Sequence, residues 1–245
     1  MKRTERHHLK ENELEILTRQ AREALEARKR EIGLTVAALV VVAVAAAAYY
    51  AWHESVNGRA AAMLADAMVA QDARVVPPPP PGGTSTQSTV GTYPTEQAKL
   101  EAALAKFKAA ADAYPSTDAG LFARYQECAT LMALGRSADS ATCYQDVVKR
   151  GGNGVYGQMA QLGLAEAQAR TGQYEQAING FKELAQRKDG PLPIDGVLMQ
   201  LGRTYLDAGK ASDAQQTFNR LVQEYPESPF SAEARKELDG LKKTG

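Results

Sequence analysis

The sequence repeats itself every 37 residues, in register at single side chains. Aromatic residues recur at this spacing, at Phe107, Tyr144, Phe181 and Phe218. Small residues lie four positions before them, at Ala103, Ser140, Ala177 and Ala214, and glycines lie five positions before the last three of these, at Gly135, Gly172 and Gly209. A period of about 20 to 50 residues indicates stacked supersecondary units. Such units bury their apolar faces against each other and bind macromolecules through their exposed faces, so the sequence favours an interaction protein over an enzyme.

Each repeat is predicted to contain two helices, as its last copy illustrates. Residues at helical spacing predict a first helix, at Leu198, Leu201, Gly202 and Tyr205. The same spacing predicts a second helix, at Ala214, Phe218 and Leu221. Gly209 ends the first helix, since glycine adopts the left-handed conformation that closes helices, and Pro226 ends the second. Each unit is therefore a helical hairpin.

This order of small, large and proline positions resembles the tetratricopeptide repeat. The resemblance implies an all-α solenoid of about 3.5 to 4 helical hairpins, with a capping helix within residues 230–243. The usual period of that family is about 34 residues. Longer turns are therefore expected at residues 151–154 and 188–193. The unit that contains Cys128 matches less well, because Glu127 stands where a leucine is expected.

The first repeat lacks its own first helix. Residues 75–95 are rich in Pro, Gly, Ser and Thr, including the run Pro77 to Pro81, and cannot form a packed helix. We expect them to form a surface loop, although a proline-rich run can also bind an aromatic groove. Residues 53–74 are predicted to continue from an upstream helix and to supply the missing partner. The repeat domain then covers residues 96–245.

An apolar segment precedes the repeats. Ile32 to Trp52 is 21 residues without a charge, and a bilayer core needs about 20. The segment is too long, and begins too late, for a cleaved signal peptide. Arg28, Lys29 and Arg30 precede it directly, so the positive-inside rule places residues 1–31 in the cytoplasm. We expect a single transmembrane helix over residues 32–52 of a bacterial inner membrane, with periplasmic repeats; an organelle membrane is the alternative.

The sequence contains no recognisable catalytic, cofactor-binding or metal-binding pattern. Its only histidines are His7, His8 and His53, so the repeat region has no imidazole for a metal or for activating a thiol. The chain carries 29 basic and 29 acidic residues, without the basic excess typical of nucleic-acid binding. We therefore expect no enzyme activity, no cofactor and no nucleic-acid partner.

The two cysteines fall on the two helices of one hairpin. Cys128 has the register of Ala165 and Gly202, a small buried position, and Cys143 directly precedes the aromatic Tyr144. Small structural thiols are the preferred interpretation. A disulfide is the alternative, since this placement permits it in an oxidising compartment.

The layout of tail, single span and extracytoplasmic repeats resembles the family of the ancillary subunit of the SecYEG translocon, whose domain is shared with the cell-division coordinator that binds TolA. The resemblance implies a non-enzymatic scaffold in the cell envelope, with the Sec translocon, a periplasmic chaperone or a cell-division or envelope-maintenance protein as partner. First helices are expected to line its binding face. The candidate contacts are Arg124, Gln161, Gln168, Gln200, Arg203 and Asp207. The alternative is a structural subunit or spacer that self-associates through its tail and its alanine-rich span.

Overall fold

Helices make up most of the part of the chain that the structure, a computed structural model, describes: residues 18–20, 22, 26, 28–77, 91–187 and 190–244. The all-α prediction is therefore confirmed. Much of the expected cytoplasmic tail, most of the proline-rich loop and part of the turn at residues 188–193 lie outside the described residues. The chain divides into two units, Met1–Ser55 and Val56–Gly245.

The secondary structure follows a simple order. The helices are α1 (Lys29–Gln71), α2 (Glu96–Ala113), α3 (Asp118–Ala133), α4 (Ser137–Gly151), α5 (Val155–Arg170), α6 (Tyr174–Ala185), α7 (Ile194–Asp207), α8 (Ala211–Glu224) and α9 (Ser231–Thr244). Two short strands, β1 (Arg74–Val75) and β2 (Thr92–Tyr93), pair in parallel between α1 and α2, with Arg74 opposite Thr92.

The first unit contains the apolar part of α1. Within residues 32–52 the large apolar side chains are exposed, among them Leu39, Val41, Tyr50 and Trp52. No part of the most apolar stretch is buried, which is unlike a core helix of a soluble protein. By length and composition, α1 can cross a membrane.

The repeating glycines close the first helix of each repeat. Gly135, Gly172 and Gly209 have φ angles of 76°, 77° and 72°, which are left-handed. The residue after each glycine donates its backbone N–H to a carbonyl five residues earlier, at 2.9 Å for Arg136 to Leu131 and 2.8 Å for Lys210 to Tyr205. This is the Schellman arrangement, which satisfies the last carbonyls of a helix. Each 37-residue repeat therefore contains both the buried core positions of a hairpin and the glycine that ends its first helix.

Buried side chains form three clusters along the second unit. The repeated aromatic positions Phe107, Tyr144, Phe181 and Phe218 are all buried. The first cluster joins α1, α2 and α3 around Phe107, the second joins α3, α4 and α5 around Tyr144, and the third extends from α5 to α9. Each hairpin thus shares its core with the next, as expected of a solenoid.

The C-terminal part of α1 packs against the incomplete first repeat. Ala67 and Ala70 are buried together with Phe107 of α2, and Met63 and Leu64 pack against the same cluster. Lys106 of α2 forms an ion pair with Asp66 of α1 at 2.8 Å. That this part of α1 serves as the first helix of repeat 1, in place of residues 75–95, remains a prediction.

Cys128 and Cys143 are joined by a disulfide between α3 and α4, with their Cα atoms 5.4 Å apart. The preferred sequence-based interpretation, two free thiols, does not describe the structure. Equivalent positions of the next hairpin explain why: a Cβ added to Gly180 would lie 3.3 Å from the Cβ of Ala165. This pair of positions marks a close approach of the two helices, and cysteines placed there are within bonding reach.

Candidate protein-binding groove

The first helices of neighbouring repeats contact each other as well as their own hairpin partners. Helix α3 contacts α5, and α5 contacts α7, so the three helices share one continuous face. Along the chain, the second helices α4 and α6 separate these three first helices. Side chains projecting from this face are therefore available to a bound segment.

A cleft of about 220 Å³ opens between α5 and α7. Phe181 of α6 is among its lining residues, although this side chain is almost completely buried. The lining residues are mainly polar, and they are Glu166, Ala169, Arg170, Phe181, Gln200, Arg203, Thr204 and Asp207. We call this set the α5–α7 cleft. The Thr204 hydroxyl donates to the Gln200 carbonyl at 2.7 Å, which turns the polar atom of this buried residue back onto its own helix.

Three of the six predicted contact residues meet in the α5–α7 cleft: Gln200, Arg203 and Asp207. Arg203 forms an ion pair with Glu233 of the capping helix α9, which holds its guanidinium at one end of the cleft. Asp207 is exposed at the C-terminal end of α7.

The other three predicted residues lie outside this cleft. The Gln161 side chain accepts a hydrogen bond from the Arg187 guanidinium at 2.8 Å, between α5 and the segment after α6. Gln168 is half-buried near the end of α5. Arg124 points into the protein, and only 14% of its side chain is exposed. As partner contacts these residues remain predictions.

Arg124 is the centre of an internal ionic cluster. Its guanidinium pairs with Asp112 of α2, with Glu127 at 2.7 Å and with Asp146 of α4 at 3.7 Å. Burial raises the pKa of Glu127, although Arg124 opposes that change. The hydrogen bond from Arg124 lowers the pKa of Asp112. In the last repeat, Leu198 and Leu201 hold the positions of Arg124 and Glu127. A buried ion pair therefore replaces an apolar contact here.

Glu166 is a cleft residue that the sequence-based list lacked. It is half-buried, and burial raises the pKa of its carboxyl, an effect that Arg170 one turn later partly offsets. Its register identifies it: Glu166 precedes Arg203 by 37 residues, and Arg170 precedes Asp207 by the same distance. Carrying the predicted contacts back by one repeat would have found both. Phe181 and Thr204 also line the cleft, but both are buried, and their positions in the repeat do not correspond to any predicted contact residue.

An aromatic cluster lies beside Glu166, on α3, α4 and α5. The rings of Phe122 and Tyr156 are 5.3 Å apart between centroids, and those of Tyr125 and Tyr144 are 5.8 Å apart. Burial raises the pKa of Tyr125 and of Tyr144, and the Glu166 charge adds to both shifts. Glu166 therefore lies near these two tyrosines and also lines the α5–α7 cleft.

Two tetratricopeptide repeat models match the sequence, one over residues 130–193 and the other over residues 197–228. Within these two ranges the chain has the tetratricopeptide pattern. The matched ranges begin in α3 and end after α8, and they include both walls of the α5–α7 cleft. Tetratricopeptide repeats typically act as non-catalytic scaffolds that bind proteins along the face of their first helices.

Solved structures show the same fold. Two structures of nearly identical TPR-like repeats, assigned to a Podosopora anserina kinesin light chain, have TM-scores of 0.53 and 0.52 at 15% and 14% identity, and each alignment covers 59% of this chain and 78% of the other. A tetratricopeptide repeat protein from Parabacteroides merdae has a TM-score of 0.48 at 15% identity, over 60% of this chain and 55% of the other. No curated protein matches this sequence. At these identities the similarity concerns the tetratricopeptide fold alone.

The groove offers charged groups that a bound polypeptide can contact. Among the described residues, no group of three or more His, Cys, Asp or Glu side chains is placed to hold a metal ion. The charged residues of the cleft are arranged as opposite charges at equivalent repeat positions. Such an arrangement can orient a bound polypeptide by electrostatic complementarity.

Proposed function

We propose that this protein is a membrane-anchored, non-enzymatic tetratricopeptide scaffold that binds a segment of another envelope protein. The observation that carries the proposal is the α5–α7 cleft, which polar side chains from two repeats line together with Ala169 and the buried Phe181. Protein-binding surfaces commonly combine an apolar centre with a polar rim. The cleft lies on the face where first helices of adjacent repeats meet, so an extended segment can contact several repeats at once.

Residues 32–52 are the proposed anchor, in a bacterial inner membrane with the N-terminus in the cytoplasm and the repeats in the periplasm. The basic residues Arg28, Lys29 and Arg30 support this orientation. The disulfide between Cys128 and Cys143 is consistent with an oxidising compartment. The resemblance of the layout to the ancillary translocon subunit makes the Sec translocon, a periplasmic chaperone or a cell-division or envelope-maintenance protein the proposed partner.

Anchoring also lowers the affinity that such a scaffold needs. Two proteins held at one membrane surface meet at a high effective concentration, so weak contacts in the groove are enough for association. A protein with this role gains nothing from a deep, tight pocket. The α5–α7 cleft is open to solvent and has polar and apolar surface in similar amounts, which fits that requirement.

Site-specific photo-crosslinking in intact cells tests the proposal. A photoreactive amino acid replaces Gln200 or Asp207 in the cleft and, as a control, Glu183, which is exposed on α6 outside the cleft. Crosslinked products are identified by mass spectrometry. We expect Gln200 and Asp207 to capture the same envelope protein and Glu183 not to capture it. Equal capture from all three positions, or none from the cleft, would contradict the proposal.

Self-assembly through the span is the second candidate function. The side chains of residues 32–52 are exposed, so they can contact another helix as readily as lipid. The segment includes the run Ala45 to Ala48, and small residues let transmembrane helices approach closely. The molecular mass of the full chain in nanodiscs, compared with that of a chain beginning at Val56, distinguishes the two. Equal monomers would exclude self-assembly through the anchor.

A further inference from the structure

The Glu166 carboxylate lacks a close partner of its own. Within the described ranges, no hydrogen bond or ion pair engages it, and its strongest opposing charge is Arg170 on the same helix. A half-buried carboxylate loses hydration without gaining a compensating contact, and this disfavours its charged form. The fold therefore leaves a negative charge at the cleft that a ligand can neutralise.

The charges around the cleft leave a negative excess. Arg203 is already paired with Glu233, and the remaining charged residues of the lining are Glu166, Arg170 and Asp207. These five side chains comprise three acids and two bases. A ligand with a positive charge gains from this excess, whereas an anionic ligand has to compete with Glu233 for Arg203.

The surroundings of Glu166 suit a cation with a long apolar stem. Ala169 is half-buried and offers apolar surface in the cleft, one helical turn from Glu166, whereas the Phe181 side chain is almost completely buried. Lysine and arginine side chains pack their methylene groups on apolar surface and place their charge near carboxylates and aromatic rings. The volume of about 220 Å³ is below that of pockets for drug-sized molecules, roughly 300 to 1,000 Å³, and suits a single side chain.

We infer that the α5–α7 cleft receives one lysine or arginine side chain of the bound protein segment, with Glu166 as its counter-ion. This inference rests on the proposed scaffold function and specifies the chemistry of its partner. The stem of the side chain packs beside Ala169, and its cation lies against the Glu166 carboxylate. A neutral or acidic residue at that point of the segment leaves Glu166 uncompensated and binds less tightly.

Methyl-group NMR of the full chain in phospholipid nanodiscs tests this inference. The reporters are the methyl groups of Ala169 and Thr204, and the probes are the N-acetyl methylamides of arginine, lysine, citrulline and glutamate. Citrulline matches arginine in shape but is neutral. We expect saturable shifts with arginine or lysine, and whichever saturates at lower concentration identifies the preferred cation. Equal shifts with citrulline, stronger binding of glutamate, or no saturable shift with either cation would overturn the inference.

Two variants separate a specific counter-ion from general attraction to an acidic surface. In Glu166→Gln the cation affinity should fall about fivefold, comparable to the loss of one partly exposed ion pair. Glu183→Gln removes the same charge from an exposed site on α6 outside the cleft and should leave the affinity unchanged. An equal loss in both variants, or none in Glu166→Gln, refutes Glu166 as the counter-ion.

The crosslinking experiment distinguishes failure of this inference from failure of the scaffold itself. If Gln200 crosslinks an envelope protein while the cations produce no saturable shift, the groove binds a partner but Glu166 does not select a basic residue. If Gln200 and Asp207 crosslink nothing, the scaffold function is refuted whatever the small probes do.

Discussion

Glu166 and Arg203 occupy the same position in consecutive repeats, 37 residues apart, and both line the α5–α7 cleft with opposite charge. Arg170 and Asp207 form a second pair of this kind, with the signs reversed. The repeats therefore share their core but not their groove. A bound segment meets a different charge at each repeat, so the order of residues along that segment decides how well it fits.

Removing the disulfide should destabilise the repeat domain. Cys128→Ala with Cys143→Ala removes a cross-link between positions separated by 15 residues, and a closed loop of that size is worth about 3 kcal/mol. Alanine suits both sites, because Ala165 and Gly180 hold the equivalent positions of the next hairpin. Urea denaturation of the full chain, oxidised and reduced, measures the effect. A reductant should lower the stability of the native sequence but not that of the variant, and an equal response of both would contradict the prediction.

The same hairpin position should accept a second disulfide. Ala165→Cys with Gly180→Cys places two cysteines where the helices approach closely, since a Cβ on Gly180 lies 3.3 Å from that of Ala165. We expect the new pair to oxidise, so that denatured protein shows no reactive thiol. Ala165→Cys with Glu183→Cys, one helical turn further along α6, is the control and should retain two thiols. Free thiols in both variants would show that the approach is looser than in α3 and α4.

Gly202 should not tolerate a larger residue. A Cβ at this position would lie 2.3 Å from the ring of Phe218, which is fully buried. Gly202→Ala should therefore cost about 1 to 3 kcal/mol, as overpacked cores do. Gly58→Ala is the control, because nothing lies within 4 Å of its added Cβ and alanine favours a helix. Thermal unfolding of both variants checks this, and equal melting temperatures would be inconsistent with the packing described.

Arg124 and Glu127 should be coupled. Arg124→Leu alone leaves a buried carboxylate without its partner, which typically costs about 3 to 5 kcal/mol. Replacing both with leucine restores the residues found at Leu198 and Leu201 and should be neutral or stabilising by about 1 to 4 kcal/mol. A double-mutant cycle by urea denaturation measures the coupling. Additive losses would show that solvent already screens the pair.

Stability should depend on the protonation of Glu166. Burial raises its pKa, so the folded state binds a proton more readily than the unfolded state, and this contribution favours folding as the pH falls from neutral through the raised pKa. Glu166→Gln removes the cost of the charge. Its melting temperature should therefore exceed that of the native sequence at pH 7, and the difference should shrink below the ordinary value of 4.5.

The control for this pH dependence is built into the same measurement. Arg124 lowers the pKa of Asp112, so protonation of Asp112 below its ordinary 3.8 destabilises both proteins alike. The comparison between variant and native sequence cancels that effect. A Glu166→Gln protein that is less stable than the native sequence at pH 7 would mean that Arg170 outweighs burial.

The 37-residue repeat explains which features of the fold could be predicted from the sequence. Phe107, Tyr144, Phe181 and Phe218 recur every 37 residues because each fills the same place in its hairpin, and their burial follows from pattern alone. Gly135, Gly172 and Gly209 were predictable for the same reason: a left-handed helix end needs glycine wherever it recurs. Local rules that repeat along a chain are visible without any knowledge of tertiary contacts.

The features that could not be predicted depend on distances between helices. Arg124 has the repeat position of the buried Leu198, but no pattern along the chain shows that its charge meets Asp112 on one neighbouring helix and Asp146 on another. The bond between Cys128 and Cys143 depends on how closely α3 and α4 approach, and spacing along the chain permits either state. Phe181 lies on α6, whereas the other residues of the cleft lie on α5 and α7, so no pattern within one helix assigns Phe181 to the cleft.

The burial of Ala67 and Ala70 against Phe107 limits where this protein could be cut free of its proposed membrane anchor. A protease that cleaves within residues 57–71 would remove part of the first hairpin and uncover the apolar surface of α2. Shedding of an intact domain therefore requires cleavage upstream of residue 57. Any naturally released form should begin there or earlier, and shorter fragments should be cleared by proteolysis.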